Sequence, residues 1–183
     1  YAEWACNYEL KHVQDNDTIG AFEAVKEWKC QYCVAFVDPS FSDKTDTDAT
    51  AVAVVGVANG LLLFTGKSFP KSISDPTTRK EILDFLGQFT PIESVLESQL
   101  AESSIFFLDA FKADEVGRPI KNLWTVKRQS KNKHERIAAT VIANKPEMRI
   151  LEGTQQEFSL QVSRYYKGAD HDDCPDALAG AIE

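Results

Sequence analysis

Two apolar runs, ATAVAVVGV (49–57) and LLLFTGKSF (61–69), flank Asn59-Gly60. Asn-Gly is the dipeptide preferred in tight hairpin turns, so the two runs are predicted to be adjacent antiparallel strands. Upstream, CVAFVD (33–38) reads as a third buried strand, broken by Pro39. A chain with this opening must build a sheet into its core, and the remaining segments have to pack around it.

Those segments alternate. DPTTRKEILDFLGQF (75–89) predicts a helix with Asp75 as N-cap and Pro76 in the first position, and Ile82, Leu83, Leu86 and Phe89 fall on one face. IESVLE (92–97) reads as a short strand. AESSIFFLDAFKADE (101–115) reads as a helix that turns Ile105, Leu108 and Phe111 inward, exposes Asp109 and ends at Gly117. PIKNLWTV (119–126) is expected to be a strand, KHERIAATVIAN (133–144) a helix bounded by Pro146, and MRIL (148–151) a short edge strand. TQQEFSLQVSRYY (154–166) carries Thr154 and Glu157 at the spacing of a capping box. A last helix starts inside GADHDDCPDALAG (168–180). An antiparallel start followed by strand–helix alternation implies an α/β fold, a mixed sheet with helices on both faces.

The 183 residues suffice for one sizeable core, and 43% hydrophobic against 26% charged residues suits a soluble globular domain. That domain is placed at residues 31–183, with 1–30 as a linker or the end of a preceding domain. There is no initiator Met, no leader pattern and no apolar run near eighteen residues, so a soluble piece of a longer polypeptide with no membrane span is expected. Of Cys6, Cys30, Cys33 and Cys174 only Cys30 and Cys33 have CxxC spacing, with no second pair to complete a zinc site. Because that pair precedes a strand, where thioredoxin-like chemistry wants a helix N-terminus, reduced structural thiols in a cytoplasmic setting are expected. The net charge of −8 excludes a general polyanion binder. The local exception is KRQSKNKHER (127–136), which holds Lys127, Arg128, Lys131, Lys133 and Arg136 against one Glu.

Asp38 and Glu97 both end predicted strands, at the carboxyl ends where open α/β sheets build ligand sites. The opening of the last helix adds four aspartates and His171 within seven positions, and charge so concentrated requires a cation or a proton. Taken singly, Asp38 before Pro reads as a turn residue, Glu97 as a helix cap, Asp172 and Asp173 as N-cap and first-turn acids, and His171 as a loop histidine. Converging, they form an oxygen-rich cage suited to Mg2+ or Mn2+ and not to zinc. Two such ions about 4 Å apart activate water and stabilise the leaving oxygen of a phosphodiester. DKTDTDAT (43–50) lacks the Gly and closing Glu of an EF-hand.

VAFVDPS (34–40), DTDAT (46–50), SVLES (94–98), KNKHERI (131–137) and above all HDDCPDALAG (171–180) resemble the C-terminal nuclease domain of the large terminase subunit of tailed bacteriophages, in the RNase H-like superfamily. The resemblance spans roughly residues 30–183. It implies a two-metal, Mg2+- or Mn2+-dependent endonuclease that cuts concatemeric viral DNA at the start and end of packaging, in the host cytoplasm. Double-stranded DNA, a packaging ATPase domain in the same polypeptide, the portal and the small terminase subunit are the implied partners, with residues 1–30 as linker or final ATPase helix. Asp38, Glu97 and the Asp172/Asp173 pair match the acidic triad, with Asp173 the preferred third member. Asp48 matches an accessory acid, Asp176 lies one turn beyond the pair, and His171 is a further accessory candidate. Lys133 and Arg136 match a K-x-x-R lead near the DNA path. No Gly-rich phosphate loop with Lys-Ser/Thr is present, so ATP hydrolysis by the P-loop route is excluded for this stretch. Two alternatives stand beside this reading: another RNase H-like nuclease of resolvase or transposase type, and a non-catalytic docking module with a structural cation.

Overall fold

In the computed structural model, which describes residues 17–40, 49–98, 101–118, 122–170 and 172–183, the predicted hairpin forms the middle of a seven-stranded sheet. The strands are β1 (Ala24–Val25), β2 (Tyr32–Asp38), β3 (Thr50–Ala58), β4 (Leu61–Phe69), β5 (Glu93–Ser98), β6 (Trp124–Arg128) and β7 (Met148–Leu151). Their order across the sheet is β1-β7-β4-β3-β2-β5-β6. Asn59 and Gly60 both take positive φ, 49° and 80°, as the two-residue turn between β3 and β4 requires. β2 runs antiparallel to β3 and parallel to β5, with Val37 beside Leu96. The next residues are Asp38, the last of β2, and Glu97, one residue before the end of β5 and not its last residue as expected; they therefore sit at the same end of neighbouring strands.

Side chains alternate between two cores. Phe36, Ala51, Ala53, Val55 and Phe64 face one side, and Ala35, Val37, Val52 and Val54 the other. The second side is covered by α1 (Pro76–Gly87) and α2 (Ala101–Asp114) through Ile82, Leu83, Leu86 and Phe111. The first is covered by α3 (Lys133–Ile137), which continues as a π turn over Ala138–Ile142, by α4 (Gln156–Ser163) and by α5 (Asp173–Ile182). Asp75 caps α1 as expected, accepting from the Thr77 amide at 2.8 Å.

Four further expectations are corrected. β7 is an interior strand, because β1 pairs beyond it in parallel; two residues of AV offer no periodicity from which an edge strand is legible. β6 begins at Trp124 and runs to Arg128, since pairing with Glu97 and Ser98 of β5 satisfies backbone groups well into the basic stretch; residues 119–121 lie outside the described residues. Ile105 is 60% exposed, and α2 buries Phe111 with Phe107 and Leu108 partly covered, so the inward stripe runs through 107 and 111. The capping box does not form: Gln155 holds the N-cap position of α4 without a side-chain bond to it. Thr154 instead donates to the Leu151 carbonyl at 2.7 Å, while the Gln155 amide bridges the Ser68 backbone in both directions.

Of residues 1–30, the first sixteen lie outside the described residues; Ile19 is buried in the core beside Tyr165, and β1 closes the sheet. Cys30, Cys33 and Cys174 are unpaired thiols, and burial pushes Cys33 up to about 11. Among the described residues no helix is long and apolar enough to cross a membrane.

α5 lies unusually close to the sheet, with every residue from Asp173 to Ala181 buried. Gly180 makes this approach possible, since a Cβ there would sit 2.7 Å from three atoms of the Phe36 ring, itself 1% exposed. Gly180→Ala should therefore lower stability by about 2–3 kcal/mol and the melting temperature by about 5–10 °C. A calorimetric melt within a degree of wild type would show that the helix reseats without strain.

Candidate active site

The parallel pairing of β2 with β5 delivers Asp38 and Glu97 to one end of the sheet, and α5 points its first turns at the same end. One carboxylate oxygen each from Asp38, Glu97 and Asp176 lies within 4.8 Å of the others. The three residues are only 6%, 8% and 1% exposed. Asp38 Oδ2 and Asp176 Oδ2 are buried with no hydrogen-bond partner. A buried carboxylate oxygen without a donor is costly, and three acids at this spacing repel, so the cluster calls for positive charge or a proton.

The protein supplies part of that charge from α3. Asn132 caps this helix by accepting from the His134 amide at 2.9 Å, which places Lys133 first and Arg136 one turn later on the same face. Arg136 bonds Asp176 Oδ1 through Nη2, lies 3.9 Å from Glu97, and donates from Nη1 to the Lys131 carbonyl at 3.0 Å. Thr140 Oγ1 donates back to the Arg136 carbonyl at 2.6 Å, inside the π turn, a helix form that recurs at functional sites. The Lys133 ammonium lies 3.1 Å from Asp172, 3.5 Å from Asp173 and 3.9 Å from Asp176 Oδ2. Burial alone would lower its pKa, yet Asp38, Asp176, Asp172 and Asp173 raise it on balance.

Burial, then the charge of Glu97 and a hydrogen bond with it, hold the Asp38 carboxyl well above the usual carboxylate range. Burial also raises Asp176, against the hydrogen bond and charge of Arg136. Also on α3, His134 Nδ1 and Tyr165 OH are 2.7 Å apart, and His134 Nε2 lies 3.4 Å from Asp17. Burial and the charges of Asp172, Asp176 and Asp17 push the Tyr165 phenol up to about 12.

The sequence points to Asp38, Glu97 and, as preferred third acid, Asp173; the structure brings Asp38 and Glu97 together with Asp176, the accessory candidate one turn beyond the pair, while Asp173 faces Lys133. Asp172 takes the N-cap position of α5, so Asp173 opens the helix toward Lys133 and Asp176 sits one turn deeper, against the strand ends. Lys133 and Arg136 are turned into the acidic cluster. Lys127 is exposed on β6 and pairs with Glu183 at 3.2 Å, while Arg128 and Lys131 are exposed. Asp48 and His171 lie outside the described residues. His134 and Tyr165 carried no signal in the sequence, because their contact joins residues thirty-one positions apart.

No protein-family model matches the chain, and no curated protein sequence does. Solved structures do match. The human cytomegalovirus terminase nuclease domain aligns with a TM-score of 0.60 at 12% identity, over 83% of this chain and 82% of its own. The large terminase nuclease of thermophilic phage G20c aligns at 0.53 and 12% identity, over 91% of this chain and 93% of its own. The chain has the fold of the terminase nuclease domains. A Mn-soaked, inhibitor-bound form of the cytomegalovirus terminase nuclease domain aligns at 0.55 and 13% identity, over 93% of this chain and 84% of its own. At such identities the likeness is one of fold, and it agrees with the RNase H-like sheet expected from the sequence. On this terminase-nuclease fold the donor set fits a hard divalent cation: three buried carboxylates, two with an oxygen that no protein donor reaches, and no His or Cys among them.

A proton held more tightly by Asp38 in the folded than in the unfolded chain makes folding weaker as pH rises. Below the ordinary carboxylate pKa near 4 both states carry the proton; the loss grows above it and is complete once pH passes the raised folded value. In EDTA, Asp38→Asn should match wild type at pH 4 and melt increasingly above it as pH rises to 8. Melting curves across that range test this, and a gap that does not widen with pH contradicts it.

Proposed function

We propose that the chain is a metal-dependent DNA endonuclease that cuts concatemeric viral DNA during genome packaging. The observation that carries this reading is the buried convergence of Asp38, Glu97 and Asp176 at the strand ends of a terminase-nuclease fold. These three side chains would hold two Mg2+ or Mn2+ ions, with Asp172, Asp173, Asp48 and His171 as accessory groups. Bound there, the ions supply an activated water and stabilise the leaving oxygen of a phosphodiester.

The chain's own residues prepare that chemistry. Arg136 fixes the Asp176 carboxylate from one oxygen and leaves Oδ2 without a donor, a ready ligand atom. Desolvation keeps the cluster under electrostatic stress that a bound cation relieves. Arg128, the exposed last residue of β6, and Lys131, exposed before α3, would contact the phosphates of double-stranded DNA, while the net charge of −8 keeps binding by the isolated domain weak. In this reading a packaging ATPase domain belongs to the same polypeptide, the portal and small terminase subunit are its partners, and the host cytoplasm is the setting.

Supercoiled plasmid incubated with the protein should be nicked and linearised in Mg2+ or Mn2+ and left intact in EDTA. Asp38→Asn, Glu97→Gln and Asp176→Asn should each slow cleavage about 1000-fold, equivalent to about 4 kcal/mol of transition-state stabilisation. Metal-dependent melting with no cleavage of plasmid would favour a docking module, and cleavage confined to a four-way junction a resolvase. Arg128→Ala with Lys131→Ala should weaken duplex binding uniformly across sequences and reduce the logarithmic salt slope by about two. Unchanged isotherms over a salt series would return that stretch to a solvated loop.

A further inference from the structure

Two cations enter the carboxylate cluster, and they are held differently. Arg136 has a side chain 4% exposed, bonded to both Asp176 and the Lys131 carbonyl, and it has no room to leave. Lys133 springs from the first residue of α3 at the mouth of the site, with 42% of its side chain exposed. Its ammonium reaches Asp172, Asp173 and Asp176, and the Asp176 atom it approaches is Oδ2, the oxygen that lacks a hydrogen-bond partner. A divalent ion held by Asp38, Glu97 and Asp176 has use for that same oxygen, and two cations against one carboxylate oxygen repel each other.

We propose that Lys133 is a movable counter-cation of the metal site: it neutralises the outer carboxylates in the free protein, competes with the divalent ion for Asp176, and swings onto a nucleic-acid phosphate when substrate arrives. A lysine suits this role, because its compact charge rides on four flexible methylenes and its donors bond phosphate as readily as carboxylate. Arginine at 136 suits the opposite role of a fixed clamp. With Lys133 drawn away, the carboxylates lose a counter-charge and hold the divalent ion more tightly; by linkage, a bound ion releases Lys133 for phosphate and tightens nucleic-acid binding by the same factor. Full metal loading is thereby reserved for the substrate-bound state. The last step rests on the nuclease reading, whereas the competition for Asp176 stands on the ion pairs alone.

The test is calorimetric titration of the free protein with Mn2+ alone, comparing wild type with Lys133→Met, Lys133→Gln and Lys133→Arg. Removing the charge should tighten Mn2+ binding about ten- to hundredfold in both uncharged variants, and Lys133→Arg should stay within about threefold of wild type. The two uncharged variants guard against one failing to fold, which far-ultraviolet circular dichroism and melting curves report. Unchanged or weaker Mn2+ binding in a folded uncharged variant would overturn the proposal, as would equal tightening in Lys133→Arg. The titration involves no nucleic acid and no turnover. Tighter binding in the uncharged variants beside a wild-type protein that leaves plasmid intact would therefore refute the nuclease reading and support the competition.

Discussion

The parallel pairing of β2 with β5 brings two carboxylates to adjacent strand ends, where their charges oppose folding, and much of the surrounding structure answers that opposition. Asp38 and Glu97 have no freedom to separate, because the register from Val34–Glu93 to Val37–Leu96 fixes both strand ends. α5 then adds Asp176 from above, on a helix buried along its length and seated by the Gly180–Phe36 approach. Carboxylates so confined are tolerable only with compensation, and Arg136 supplies it from a neighbouring helix. Buried ion pairs of this kind contribute little net stability, yet removing one partner is severely destabilising. The cost of the cluster is offset by the two apolar cores on either face of the sheet.

Position along the sheet separates the roles of similar residues. Asp172, Asp173 and Asp176 are neighbours in sequence and all lie near the Lys133 ammonium, but Asp172 takes the N-cap position, Asp173 opens the helix, and Asp176 lies among the strand ends with Asp38 and Glu97. Lys127, Arg128, Lys131, Lys133 and Arg136 form one basic run in sequence, yet β6 and α3 divide it into exposed cations and cations committed to the acidic cluster. Net charge and charge runs describe what a surface can attract, not which side chains remain free to do so.

Much of the fold was legible because hairpin turn chemistry, proline stops and apolar runs are local signals: Asn59-Gly60, Pro39 and Asp75-Pro76 all mark real boundaries. The strand-end acids were legible because their position follows from strand assignment alone. What escaped depended on distant partners. β1 exists only because β7 lies beside it, and Thr154 bonds Thr65 and the Leu151 carbonyl instead of capping the helix. The depth of Asp176 depends on where α5 starts relative to the sheet, a matter of packing rather than of periodicity. The π turn in α3 breaks the 3.6-residue spacing on which a helical reading relies.

The two rims of the sheet are also unlike its interior. β1 offers only two residues of backbone, and β6 ends in Lys127 and Arg128 with its outer residues exposed. An incoming strand would find almost no ladder to extend on the first rim and would have to bury cations on the second. A chain whose central hairpin is as apolar as β3 and β4 invites edge-to-edge aggregation, and these short or charged borders act as its safeguard against growing into fibrils.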